Sequence, residues 1–188
     1  MAASREELKK RACEAIDKNR DKIIALGESI MMEPELGYKE FKTADKVKKV
    51  FDELGFQYRD GVAITGVIAP LKGKESKIRV AVMGELDAVV VPGHALCNKE
   101  TGAAHCCGHN AQIASMVGVG YALAGTGILE ELSGDVVLMA VPSEEFVEIE
   151  YRNELRKAGK IHFLGGKQEF IYLGVFDDID MMIMQHTS

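Results

Sequence analysis

Ile78-Arg79-Val80-Ala81-Val82-Met83 is a short apolar run that stops at Gly84-Glu85-Leu86-Asp87. Two later runs are built the same way. Val136 to Val141 stops at Pro142-Ser143-Glu144-Glu145, and Ile179 to Met184 stops at Gln185-His186. The first predicts a strand, and Val136 to Val141 is short enough for a buried one. Between the first two, Asn110 to Ala124 is rich in Ala, Met and Val and predicts a buried helix. Strands separated by helices imply an α/β layered fold with a largely parallel sheet. In open α/β sheets, ligands bind beyond the carboxyl ends of the strands. If the three runs are parallel neighbours, Glu85, Asp87, Glu144, Glu145 and His186 meet at one edge.

The flanking segments extend this pattern. Ser4 to Glu7 has the form of a capping box. Leu8, Ala12, Ile16, Ile23, Leu26 and Ile30 then predict one long helix that ends before Pro34. Phe41, Ala44, Val47, Val50, Phe51 and Leu54 mark a second helix, with Gly55 as its stop. Val62 to Ile68 predicts one β-type run ending at Pro70, followed by a turn at Lys72-Gly73-Lys74. Phe146 to Lys160 is charged and helical in pattern, and Gly165-Gly166 breaks it.

The chain has 188 residues, 47% of them apolar, which fits one domain with a sizeable core. Its net charge of -6 gives no attraction to phosphate backbones or anionic membrane surfaces, so neither nucleic acid nor membrane is an expected partner. No apolar run approaches the roughly 20 residues that cross a bilayer. Met1 to Asp17 lacks the apolar core and cleavage site of a signal peptide, which predicts a cytoplasmic protein. A disulfide framework is therefore not expected for the four cysteines. Cys13 reads as a small buried apolar residue. His94 and His162 read as surface or loop residues.

Cys106 and Cys107 differ, because they lie in His105-Cys106-Cys107-Gly108-His109. Imidazole and thiolate both suit zinc and similar metals. One glycine separates Cys107 from His109, so the backbone can bend and aim both at one ion. With no second cysteine pair, a closed four-thiolate site is excluded. A mixed Cys, His and Glu set is the kind that an open, catalytic metal site uses.

At this point the sequence resembles the M20 metallopeptidases, in the amidohydrolase branch of aminoacylases, indole-acetyl-amino-acid hydrolases and aminobenzoyl-glutamate hydrolases. Pro34-Glu35-Leu36-Gly37-Tyr38-Lys39-Glu40, Glu85-Leu86-Asp87-Ala88, Gly102 to Asn110, Pro142-Ser143-Glu144-Glu145, Gly165-Gly166-Lys167, Gly174 to Asp180 and His186 match that branch in order. The resemblance implies a three-layer α/β/α, zinc-peptidase-like catalytic domain with a mixed sheet. It implies two divalent ions (zinc, manganese or cobalt) held by Cys107, His109, Glu145 and His186. Glu144 would be the general base, and Asp87 would orient the site. The implied reaction is hydrolysis of an amide in an N-acyl amino acid or dipeptide-like small molecule.

Some positions depart from the branch. Asn110 and Gln112 stand where many relatives have Asp and His, Cys106 stands for the usual Ala, and Phe146 to Leu164 resembles an insertion. Residues 1–188 would form one unit, the N-terminal part of the catalytic domain. The lid and dimerisation domain and the C-terminal catalytic part would be absent. Such a fragment is expected to be weakly active or inactive alone and to expose a sheet edge, while the full-length protein could pair as a homodimer. The alternatives are a non-catalytic metal or small-molecule binding module, and a thiol redox role for Cys106 and Cys107. Adjacent cysteines are poorly placed for a relaxed disulfide, which weighs against the second.

Overall fold

A computed structural model describes residues 3–187. Its elements, in chain order, are α1 (Arg5–Lys18), α2 (Arg20–Met31), α3 (Phe41–Glu53), β1 (Arg59–Val62), β2 (Gly66–Leu71), β3 (Arg79–Glu85), β4 (Val89–Val90), β5 (Ala103–Ala104), α4 (His109–Leu123), β6 (Asp135–Val141), α5 (Ile149–Lys157), α6 (Gly166–Tyr172) and β7 (Met181–Met184).

The main sheet has the order β1-β2-β6-β3-β7. β6 is central, and β3 beside it pairs in parallel with β6 on one side and β7 on the other. The β1–β2 and β2–β6 pairs are antiparallel, so the sheet is mixed. The three strands read from the apolar runs are therefore parallel neighbours, with β3 between the other two. β4 and β5 form a separate two-stranded ribbon.

Both faces of the sheet are covered. Alternate residues of β6 face opposite sides, as strand geometry requires. Leu138 and Ala140 pack with Val67 and Ala69 of β2, Val47 and Phe51 of α3, and Ile113, Met116 and Val117 of α4. Val137, Met139 and Val141 pack on the other face with Ala81 and Met83 of β3, Leu155 of α5 and Phe170 of α6. Each fully buried large apolar side chain contributes about 1.5–3 kcal/mol. The result is three layers, helix on sheet on helix.

Three segments differ from the sequence pattern, each for a local reason. The long N-terminal helix is two helices, α1 and α2. Asn19 closes the first by donating its side-chain Nδ2 to the Ala15 carbonyl at 2.8 Å. Such a short polar side chain competes with the helical ladder. Val62 to Ile68 is a hairpin rather than one run, because Ala63 and Ile64 take φ of 50° and 78° and turn the chain between β1 and β2. Gly165-Gly166 does not break the charged helix, which already ends at Lys157 before Gly159 (φ 68°); it starts α6 instead. Cys13 is exposed on α1, which buries none of its residues, so it is not the small core residue its type suggested.

β7 lies at the sheet edge, and all four of its side chains are exposed. An exposed apolar edge strand of this kind presents unpaired backbone groups to solvent or to another strand. Among the described residues, no helix is long and apolar enough to cross a membrane.

Candidate active site

The site forms where β3, β6 and β7 end. The Leu86 N–H donates to the Val141 carbonyl at 2.9 Å, which ties the ends of β3 and β6 together. Glu85 is the last residue of β3, and Asp87 follows two residues later. Glu144 and Glu145 follow β6 across Ser143, whose φ is 53°. His186 lies two residues beyond β7. Facing them is the start of α4, where His109 is the first helical residue. Gly108 before it has φ 97°, and a Cβ there would collide with the Thr187 side chain. A glycine is thus required at that turn, and the turn lets Cys107 and His109 face the same space.

His109 is the hub and is almost fully buried. Its Nδ1 hydrogen-bonds the Asp87 carbonyl at 2.8 Å and lies 3.3 Å from Asp87 Oδ1. Its Nε2 lies 3.0 Å from Glu85 Oε2, and 3.9 Å from both Glu144 Oε2 and Glu145 Oε1. The nearest of these is the Glu85 carboxylate, which makes a close ion-pair contact with the ring. On the other side, His186 Nε2 is 3.2 Å from Cys107 Sγ, and the His109 and His186 rings stand edge-on at 5.8 Å. Cys107, His109 and His186 form one compact donor set; Glu85, His109 and Glu144 form a second. His109 belongs to both.

Electrostatics point the same way. Burial raises the Cys107 thiol, and the carboxylates of Glu145, Glu144 and Glu85 push it further, to about 12. Burial pulls His109 down, but Asp87 and Glu85 outweigh it and raise the imidazole to about 10. Burial raises Glu85, but His109 and Lys167 hold it down to about 2. Burial and then Glu85 raise Glu144. The pocket is crowded with negative groups, and His109 and Lys167 are cations placed against them. Lys167 Nζ contacts Glu85 and lies 3.7 Å from Glu144 Oε1.

This arrangement fits a metal. A buried imidazole whose one nitrogen faces carboxylates while the other is held by Asp87 has the geometry of a metal-binding histidine oriented by its neighbour. Thiol, imidazole and carboxylate together suit zinc and similar ions. A cation would also balance the carboxylates.

All six residues singled out from the sequence, Cys107, His109, Glu145, His186, Glu144 and Asp87, lie in this one place. Others had no role assigned. Glu85 was seen only as a strand end, although it is nearest to His109 Nε2 of the three glutamates. Lys167 sits in a quoted glycine motif, yet nothing in its spacing says that it reaches Glu85. His105 is buried with neither ring nitrogen bonded, and burial followed by His109 lowers it to about 4. His162 is a half-exposed loop residue, as expected, paired with buried Glu169 at 3.1 Å.

Behind the glutamates lies Glu40, fully buried. It accepts from the Ser143 N–H at 2.7 Å and from Thr65 Oγ1 at 2.6 Å. Burial, and then Asp87, raises it to about 7. The folded chain thus keeps a proton that the unfolded chain releases near the ordinary value of 4.5. Glu40 therefore costs stability as pH rises through that window. Glu40→Gln is expected to remove this slope. Denaturant titrations at pH 5 and pH 7.5 check it: the variant should gain on the wild type at the higher pH, and a constant difference would refute the assignment.

No family model matches the chain. Thermostable carboxypeptidase 2 of Saccharolobus solfataricus is 30% identical over 172 residues, covering 89% of this chain and 39% of that protein. An IAA-amino acid hydrolase of Arabidopsis thaliana, ILR1-like 5, is 34% identical over 128 residues, 66% of this chain and 29% of that protein. The solved structure of Bacillus subtilis YXEP, described as a dinuclear metal binding peptidase from the M20 family, superposes with a TM-score of 0.73 at 23% identity. That match covers 92% of this chain and 44% of the other. The chain thus spans about 39% of the length of the carboxypeptidase it matches.

Proposed function

This chain belongs to the M20 family of metallopeptidases and amidohydrolases, and from that premise we propose that the protein hydrolyses an amide bond to an amino acid, in an N-acyl amino acid or a dipeptide-like substrate. Relatives named as a carboxypeptidase and as an IAA-amino acid hydrolase support that substrate class. The observation that carries the reading is the convergence on buried His109 of Cys107, His186, Glu85, Glu144 and Glu145.

Cys107, His109, Glu145 and His186 would hold a pair of divalent ions, zinc, manganese or cobalt, with Glu85 as a further donor. Bound there, the ions would supply Lewis acidity toward the amide carbonyl and a more acidic water. Glu144 is free to act on that water, because its carboxylate is about one-third exposed and faces the same space as His109 Nε2. It takes the proton and passes it to the leaving amine. Asp87 keeps Nδ1 of His109 occupied, so that Nε2 is the nitrogen presented to the site. Lys167 balances the charge of Glu85 and holds Glu144 at the mouth.

The test is a screen of N-acyl amino acids and dipeptides, run on this chain and on a form extended to the length of the carboxypeptidase relative. The extended form is expected to hydrolyse at least one class when given Zn²⁺, Mn²⁺ or Co²⁺, and this chain alone to turn over weakly or not at all. Hydrolysis that persists undiminished after chelation, or none in the metal-loaded extended form, would sink the reading.

A further inference from the structure

Arg152 has no exposed surface, although it lies on α5 in the charged segment that resembled an insertion. A buried guanidinium is costly unless its N–H groups find partners. Here Nη1 donates to the Leu164 carbonyl at 3.0 Å, and Nη2 donates to the Glu145 carbonyl. The rings of Tyr38 and Phe146 flank the group, with centroids 5.8 and 5.9 Å from Cζ. Gly37 approaches so closely that a Cβ there would strike Arg152 and Ser143.

The same peptide is held from its other side. The Glu145 N–H donates to Asp87 Oδ2 at 2.9 Å, and the Ser143 N–H donates to Glu40. Ser143 has left-handed backbone angles, which cost free energy and persist only where the surroundings enforce them. Three buried ionisable groups, Arg152, Asp87 and Glu40, therefore fix a loop whose two glutamate side chains face His109.

We infer that Arg152 is a positioning residue for the glutamate pair. Its fork holds the Glu145 carbonyl against the 161–164 segment while Asp87 holds the Glu145 N–H, and this aims both carboxylates into the site. The consequence for metal binding rests on the reading of that site given above; the grip on the Glu145 peptide does not. The segment from 146 to 164 is thus a structural part of the site rather than an appendage to it.

Arg152→Lys keeps the charge but cannot span both carbonyls, and Arg152→Met keeps the bulk of the stem without the charge. Backbone hydrogen exchange by NMR on the 188-residue chain is expected to show the Glu145 amide losing protection about tenfold or more in both variants, with β6 core amides unchanged. Calorimetry with Zn²⁺ alone is expected to show affinity reduced about 10–100-fold. The loss should vanish in the background of Glu145→Gln, because Arg152 acts through Glu145. Unchanged Glu145 protection in a folded variant would overturn the inference, as would a Zn²⁺ loss that simply adds to that of Glu145→Gln. A Lys variant that fails to fold would also overturn it, by assigning Arg152 to the fold. If the wild-type chain takes up no Zn²⁺, the metal-site reading fails, and the exchange measurement still decides the role of Arg152.

Discussion

Glu144→Gln is expected to lower kcat for amide hydrolysis in the active protein by about 10²–10⁴-fold, the range that a well-placed general base contributes. The glutamine has nearly the same shape and cannot take a proton. Metal binding should survive, because Cys107, His109, Glu145, Glu85 and His186 remain. KM should change little, since the proton transfer counts in the transition state rather than in substrate binding. The adjacent Glu145→Gln is the control with the opposite signature. It leaves the base in place and removes a donor to the ions, so it should weaken metal uptake and recover activity when metal is added in excess. Steady-state kinetics over a range of metal concentration separate the two. If Glu144→Gln were restored by excess metal, or hydrolysed at the normal rate, Glu144 would be a ligand or a bystander and not the base.

Sequence and structure agree best where one backbone rule governs several residues at once. The runs at Ile78, Val136 and Ile179 become the parallel neighbours β3, β6 and β7, and their polar terminators converge because parallel strands end on the same edge. That rule needs no knowledge of side-chain contacts, so Glu85, Asp87, Glu144, Glu145 and His186 could be placed together from pattern alone. Cys107 and His109 were legible for a different reason. Clustered soft ligands beside a glycine have few uses other than metal binding.

The unread part of the site depends on tertiary packing. Arg152 reaches the Glu145 carbonyl from α5, and Lys167 reaches Glu85 from α6, across 82 positions of sequence. Both look like ordinary solvated cations until the fold buries one and brings the other to the site. Glu40 was noticed as a motif residue, but its burial against Ser143 and Thr65 is a tertiary fact. The helix break at Asn19 and the hairpin at Ala63-Ile64 were missed because non-glycine residues carry the turns. Propensity disfavours the positive φ of Ala63 and Ile64, and the surrounding packing supports it.

The second large effect concerns Cys107. Its thiol stays protonated in the chain without ions, held up by burial and three carboxylates to about 12, so an ion that binds sulfur must displace that proton. His109 likewise carries an extra proton between Asp87 and Glu85, which binding at Nε2 must also release. Zinc affinity should therefore rise with pH, and Zn²⁺ titrated into buffers of different ionisation heat should report about two protons released per ion bound at these two residues. Cys107→Ser removes one of them. A serine hydroxyl is a far poorer ligand, so affinity should fall by more than about 100-fold, beyond the 10–100-fold that losing an outer hydrogen-bond partner costs. Asp87→Asn is the reference for that smaller loss, since Asp87 touches His109 and would not touch the ion. A Cys107→Ser chain that binds Zn²⁺ as tightly as the wild type and releases as many protons would exclude the thiolate from the metal site. A Cys107→Ser loss no larger than that of Asp87→Asn would give Cys107 a supporting place behind His109 and His186.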